Sequence, residues 1–342
     1  MPTASLDFTL ASLVIIMVTA GAIYGVKTLT APYLDSISTE SRYYQIGRSI
    51  LLSEGNPVDW GKGIIPTSFG LADESSKYSL DIDKVSRLNP ENEFALNYST
   101  IWRTLGIEDI SFTLEISPIY ILSLNIESFI DNGYNTTYNF LATCTLDGYP
   151  IESNISYYLC IRSSTYSITG TTDNYGKGFV QFSLPNSISG TALLIGFSKT
   201  QDSIFTYNVL SFAHQSFFQQ PNNAYAILNP LNYVLYTTIT KGSALFATVY
   251  SYSYVFNLTS IDSEYLIPTL KGGGPMILVL TGVDGSYYWA EYVAYPQVPL
   301  EIGAVMTLDY LISDISSFVY LVDVEGSLYR LKIQFRSPEK FE

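Results

Sequence analysis

Histidine occurs once in these 342 residues and cysteine only twice, so the usual zinc or iron ligands and the usual nucleophile–base pairs are almost missing. Charge is scarce too, at 14% of residues against roughly 25% in an ordinary soluble domain. Of the two signs the basic one is rarer, 17 residues against 31 acidic, giving a formal net charge of −14. A nucleic-acid backbone demands a dense Lys/Arg patch, which this composition does not supply. No HExxH, CxxC or P-loop pattern is present. His214, in SFAHQSF, has no recognisable catalytic partners and reads as part of a connector between β units. Gly272-Gly273-Gly274 lacks the lysine and helix of a phosphate loop and reads as a hairpin loop. Asp81 and Asp83 are not followed by the glycine-containing loop of a calcium site, and read as acids at the start of a helix. The expectation is a chain without enzymatic activity, cofactor or metal.

Apolar residues are plentiful, at 47%, and 29 residues are tyrosine. That content excludes disorder, and the length suits two folded domains with additions. Phe8 to Val26 carries no charge. At about 1.5 Å per residue, a helix of that length approaches the ~30 Å hydrocarbon core of a bilayer. Gly21 and Gly25 form a GxxxG spacing that lets apolar helices approach closely. A secretory signal would be shorter and follow a basic region, whereas residues 1–26 hold Asp7 as their single charge; a buried soluble helix is the other alternative. Within this span Phe8, Leu13, Ile16, Gly21 and Gly25 are the candidates for helix assembly.

Lys27 on the C-terminal flank would by itself put that flank in the cytoplasm. Three features outweigh it. Sequons at Asn97, Asn135, Asn154 and Asn257 are glycosylation candidates on an exported chain. The even pair Cys144 and Cys160 fits an oxidising exterior as a disulfide, the alternative being two buried thiols. The large downstream part also translocates regardless of flank charge.

Helical spacing resumes after Pro32, with Tyr43, Ile46 and Ile50 in one phase and Leu34, Ile37 and Tyr44 nearby. Gly55-Asn56-Pro57 ends it. Two short helices are expected beyond, over 81–88 and 100–105. The run SLDFTLASLVIIMVTAGAIYG, followed by GNPVDWG, SFGLA and YSLDIDKVSRLN, resembles the type IV pilin-like surface-filament proteins of archaea over residues 5–110. That resemblance implies an assembly helix in the filament core and β domains outside. Members of that family are usually made with a basic leader, and none precedes Phe8. Either the sequence begins after processing, or the protein is an uncleaved relative that stays in the membrane.

From Ile110 onward the period is two. Leu122 to Glu127 alternates strictly, and Gly178–Leu184, Ala192–Phe197 and the residues around Cys160 to Arg162 add strands. Asp147-Gly148, 172–176 and Pro185-Asn186 mark turns. The order of these segments resembles Ig-like β-sandwich modules of surface and adhesin proteins. A second β unit is expected from 217 to 335, with strands over 244–250, 276–281, 287–292 and 318–322. In its last strand Leu331, Ile333 and Phe335 face one way. Pro221, Pro230 and Pro268 are expected between strands. The tyrosines Tyr157, Tyr158, Tyr250, Tyr252, Tyr254, Tyr287 and Tyr288 suit either an interface or carbohydrate face, or packing within strands.

The expected fold class is therefore α+β, a long N-terminal hydrophobic helix followed by two mainly antiparallel β-sandwich domains. The expected divisions are 1–54 (helix), 55–110 (connector), 111–215 (Ig-like domain) and 216–342 (second sandwich). The expected function is an extracellular filament subunit, membrane-inserted before assembly, whose partners are its own copies and glycans or other cells. A monomeric membrane-anchored adhesin or receptor is the alternative.

Overall fold

The computed structural model describes residues 39–336 apart from 75, 108, 217–220, 262–263, 271–273 and 304–314. Contacts divide the chain into two units, Met1–Arg48 and Ser49–Glu342. A helix over 39–52 (α1) opens the described part; Tyr43, Ile50 and Leu51 are buried, matching the expected apolar phase. Gly55, at φ +76°, turns the chain after α1. A 3-10 turn, Trp60–Lys62, and two short helices follow, α2 (Ile82–Ser86) and α3 (Tyr98–Leu105).

The described strands run β1 (Ser111–Pro118), β2 (Ile121–Asp131), β3 (Asn135–Leu146), β4 (Tyr149–Pro150), β5 (Asn154–Ile161), β6 (Ser164–Thr171), β7 (Lys177–Pro185), β8 (Gly190–Lys199) and β9 (Phe205–His214). They continue as β10 (Ala226–Leu231), β11 (Val234–Ile239), β12 (Ser243–Tyr250), β13 (Val255–Asn257), β14 (Thr259–Ile261) and β15 (Glu264–Leu266). The last are β16 (Met276–Asp284), β17 (Tyr287–Tyr295), β18 (Leu300–Gly303), β19 (Ile315–Val324) and β20 (Ser327–Arg336).

Strand pairing makes the expected α+β class incorrect for the described residues. They form a mostly β structure of stacked antiparallel sheets, compatible with Ig-like domains, and no long apolar helix is among them. No described helix is long and apolar enough to cross a membrane. The physical reason is the period-two patterning from 111 onward, rich in β-branched and aromatic residues, which dominates the described chain. The helix expected over 8–26, with Phe8, Leu13, Ile16, Gly21 and Gly25, lies outside the described residues.

Three sheets stack. The first holds β2, β3, β4 and β7, the second β6-β5-β8-β9, and the third β13-β12-β16-β17. Between the first two lies a core of Phe140, Leu122, Phe182, Tyr157, Leu159 and Leu194. A second core, with Tyr158, Leu193, Phe197, Tyr250 and Ile277, lies between the second and third. Every residue of β8 from Gly190 to Ser198 is buried. This is why its sequence, GTALLIGFS, shows no alternation: both faces of the strand are covered.

Strict alternation elsewhere decides the cysteines. Cys144 on β3 joins the first core, whereas Cys160 on β5 points into the second, on the far side of the β5 sheet. The expected disulfide is thus corrected: both are free, buried thiols. Two more expectations shift. Pro230 lies inside β10 rather than between strands, on the edge of the sheet β10-β11-β15-β14, where its missing N–H is tolerated. His214 ends β9 rather than occupying a connector.

The remaining sheet, β18-β1-β20-β19, joins the two ends of the described β region. Ser111–Pro118 pairs with Tyr329–Arg336 residue for residue, although the expected division assigns them to different domains. Phe112, Leu114, Leu331, Ile333 and Phe335 are fully buried there, as the alternation of the last strand required. The α3 helix lies against this sheet, with Tyr98 and Phe112 rings 5.1 Å apart and Trp102 Nε1 donating to the Ile110 carbonyl at 2.7 Å.

Candidate functional site

The two short helices of the connector hold unusual side chains. Asp81 caps α2 by accepting from the backbone N–H groups of Asp83 and Lys84, both at 2.9 Å. The next turn then faces inward, burying Asp83, Lys84 and Arg87. Each finds polar partners, as buried charge requires. Lys84 Nζ donates to the carbonyls of Glu54 and Ala72 at 3.0 and 2.9 Å. The Arg87 guanidinium donates to the carbonyls of Trp60, Ile64 and Phe94 and lies over the Trp60 ring, 5.5 Å from its centre. Asp83 accepts from the Tyr295 hydroxyl and the Asn232 N–H, each at 2.7 Å. Burial pushes the Asp83 carboxyl up to about 6, with Tyr295 and Asn232 opposing it. Burial likewise lowers Lys84 and Arg87. Every one of these groups is satisfied by the protein, so the cluster clamps the connector to β10–β11 and β17; among the described residues no group of His, Cys, Asp or Glu is arranged to hold a metal.

A cleft of about 360 Å³ opens beside the clamp, with Asn89, Glu91, Tyr207, Asn208, Tyr292 and Gln297 on its walls. Its amides are mostly committed to the backbone: Asn89 Nδ2 donates to the Gln297 carbonyl at 3.1 Å, Asn208 Nδ2 to the Leu122 carbonyl at 2.9 Å and Asn222 Nδ2 to the Tyr292 carbonyl at 3.2 Å. The cleft is a seam between sheets held by these amides.

His214 is fully buried, and both ring nitrogens are engaged. Nε2 lies 3.1 Å from the Pro185 carbonyl, which can only accept, so Nδ1 accepts from the Tyr138 hydroxyl at 2.9 Å. Desolvation lowers its pKa, favouring that neutral ring. The imidazole is a core hydrogen-bonding post. Asp81 and Asp83 both sit where the sequence put them, at the start of α2, and Asp83 also turns into the core. Gly272 and Gly273 lie outside the described residues.

The four sequons are scattered. Asn97 is exposed and caps α3; Asn257 is exposed on β13, at a sheet edge. Asn135 opens β3, and Asn154 opens β5 with hydrogen-bonded strands on both sides.

Tyrosine proves to be two populations. Tyr157, Tyr158 and Tyr250 are core; Tyr254 is exposed and stacked with Phe256, ring centres 5.9 Å apart. Sequence reading missed the most exposed of the described ones, Tyr134, Tyr149 and Tyr175, at 84%, 74% and 71%. Tyr149 and Tyr175 belong to adjacent turns, since Cys144 donates to the Gly176 carbonyl and accepts from Ile151. The signal was available: Asp147-Gly148-Tyr149 and Asn174-Tyr175-Gly176 both place a large ring in a turn. The first of these turns is also pinned by the Arg330–Asp147 ion pair, at 3.0 and 3.3 Å.

The chain matches no protein-family model and no curated protein sequence.

Proposed function

We propose that this protein is a structural subunit of an extracellular filament of the type IV pilus kind, with its β part outermost. The observation that carries the reading is the charge-free segment Phe8–Val26, with its Gly21/Gly25 spacing, ahead of a charge-poor part rich in Ser, Thr, Asn and Tyr. In such an assembly the segments of many copies replace lipid around one another. Each 1,000 Å² of apolar surface kept from water is worth roughly 25 kcal/mol before ordering costs. The exposed Tyr149 and Tyr175 give the outer surface an apolar-plus-polar contact of the kind used in adhesion.

The test is to shear cells that make the protein and to analyse detached fibres by electron microscopy and mass spectrometry. The protein is expected in the fibres. Recovery in the membrane fraction alone, with no copy in sheared fibres, overturns the reading in favour of a membrane-anchored adhesin.

A further inference from the structure

The sequons differ in what the fold leaves available to a glycosyl-transferring enzyme. N-glycosylation joins the Asn Nδ2 to the anomeric carbon of a sugar carried on a lipid diphosphate. The N–C1 bond forms, the C1–O bond breaks, the lipid diphosphate leaves, and the amide gives up one proton to a base of the enzyme. Because the amide lone pair is conjugated with its carbonyl, the nitrogen is a poor nucleophile. The enzyme must therefore grip the side chain and the hydroxyl two residues on, so both must leave the protein surface together.

Asn154 fails this requirement. Its strand is hydrogen-bonded to β6 through Thr171 and to β8 through Lys199, and its sequon hydroxyl, on Ser156, is buried. Asn135 pairs with Pro185, its neighbour Thr136 is buried, and the sequon hydroxyl of Thr137 donates to Ser183. Asn257 is exposed, but it pairs with Thr248, its Oδ1 accepts from the Thr248 hydroxyl, and Thr259 is paired with Leu266.

Asn97 alone of the four lies outside every ladder. It is the exposed cap of α3, and Ser99 is exposed as well. Its Oδ1 accepts from the Thr100 N–H and from the Ser99 hydroxyl, both at 2.8 Å. The two groups read by the enzyme are thus already together on the surface, and no hydrogen bond of Nδ2 is among those described.

We infer that Asn97 is the N-glycan acceptor of the folded chain, the other three sequons being closed by their sheets. Capping and modification use different atoms, because the glycosylated amide keeps its Oδ1 as acceptor. The helix cap therefore survives transfer of the sugar. Only the encounter with the enzyme rests on the extracellular reading; the selectivity rests on the fold.

The experiment uses the purified full chain in detergent, folded or urea-denatured and diluted. The reagents are a polyprenyl-diphosphate-linked oligosaccharide and an oligosaccharyltransferase that requires only N-x-S/T, with site occupancy read by glycopeptide mass spectrometry. Asn97 is expected to be modified to similar extents in both forms. Modification of Asn135, Asn154 and Asn257 is expected to fall about tenfold or more in the folded form, since local opening of a paired strand must precede it. Asn97→Asp keeps the cap and is expected to remove the glycan without changing the melting temperature. Ser99→Ala is expected to remove it with Asn97 intact. Protection of Asn97 as strong as that of Asn154, or modification of the Ser99→Ala chain at Asn97, overturns the inference. None of these outcomes depends on whether fibres form.

Discussion

The Tyr295 hydroxyl donates to Asp83 Oδ1 across 2.7 Å, tying a helix of the connector to the end of β17. Both residues are buried, and the carboxyl titrates at about 6 instead of 3.8 because burial disfavours its charge. Asp81 adds to this rise, whereas Lys62 opposes it.

A raised carboxyl binds its proton more tightly in the folded than in the unfolded chain. Its contribution to stability is present below the unfolded value near 3.8 and is lost as pH rises through about 6. The rise corresponds to about 3 kcal/mol. Asp83→Asn, always neutral and still able to accept through Oδ1, is expected to be the more stable protein at pH 7. Its advantage should vanish near pH 4. His214, lowered by burial, has the opposite pH trend, so the comparison is variant against parent in urea unfolding at each pH. An advantage that stays constant from pH 4 to 7, or none at all, counts against the Asp83 assignment.

The cysteines face different cores, so reduction has nothing to break. Treatment with a thiol reductant is expected to leave the melting temperature unchanged, whereas a disulfide would contribute about 3 kcal/mol. Alkylation after denaturation without reductant should label both thiols. In the native protein Cys160 should resist labelling, since burial raises its thiol to about 11. A single disulfide-linked peptide containing Cys144 and Cys160 would contradict the fold.

Gly282 on β16 lies under the Trp289 ring. A Cβ there would be 1.9 Å from Trp289 Cζ2 and 2.3 Å from the Ser243 carbonyl oxygen. Gly282→Ala is expected to cost about 3 kcal/mol or more, because ring and backbone must both shift. A loss under ~1 kcal/mol in urea unfolding shows the ring packed elsewhere.

The two tyrosine populations predict opposite outcomes. Tyr149→Ala and Tyr175→Ala together should change stability by no more than about 0.5 kcal/mol each, because their rings are in solvent. On the filament reading proposed above, the same pair should weaken attachment of fibres to surfaces that the parent fibres hold. Tyr157→Ala should cost about 3–5 kcal/mol through the cavity it leaves. Equal stability losses in all three variants would overturn this partition.

Strand positions were largely legible in the sequence, since the alternation VQFSL, Val180 to Leu184, maps directly onto the exposed–buried pattern of β7. What the sequence hid was which strands meet. Nothing local in Ser111–Pro118 states that its partner is Tyr329–Arg336, and pairing over that separation is set by the whole chain. The same blindness suggested a disulfide: two cysteines make an even pair, but only the sheet order puts Cys144 and Cys160 in different cores. Asp83 was read as a helix-start acid by position, and its inward turn depends on the distant Tyr295 and Asn232. The scattered sequons were visible, but the ladders that close three of them were not.

The pairing of β1 with β20 also has a consequence for synthesis. While the ribosome is still making the chain, β2 to β9 can find all of their hydrogen-bonded strand partners within residues 121–214. The sheet that begins at Ser111 must wait for almost the whole polypeptide, with Phe112 and Leu114 unprotected meanwhile. Premature termination between β18 and residue 327 therefore leaves β1 without its β20 partner, an open, sticky edge on a largely folded body and a ready target for quality control.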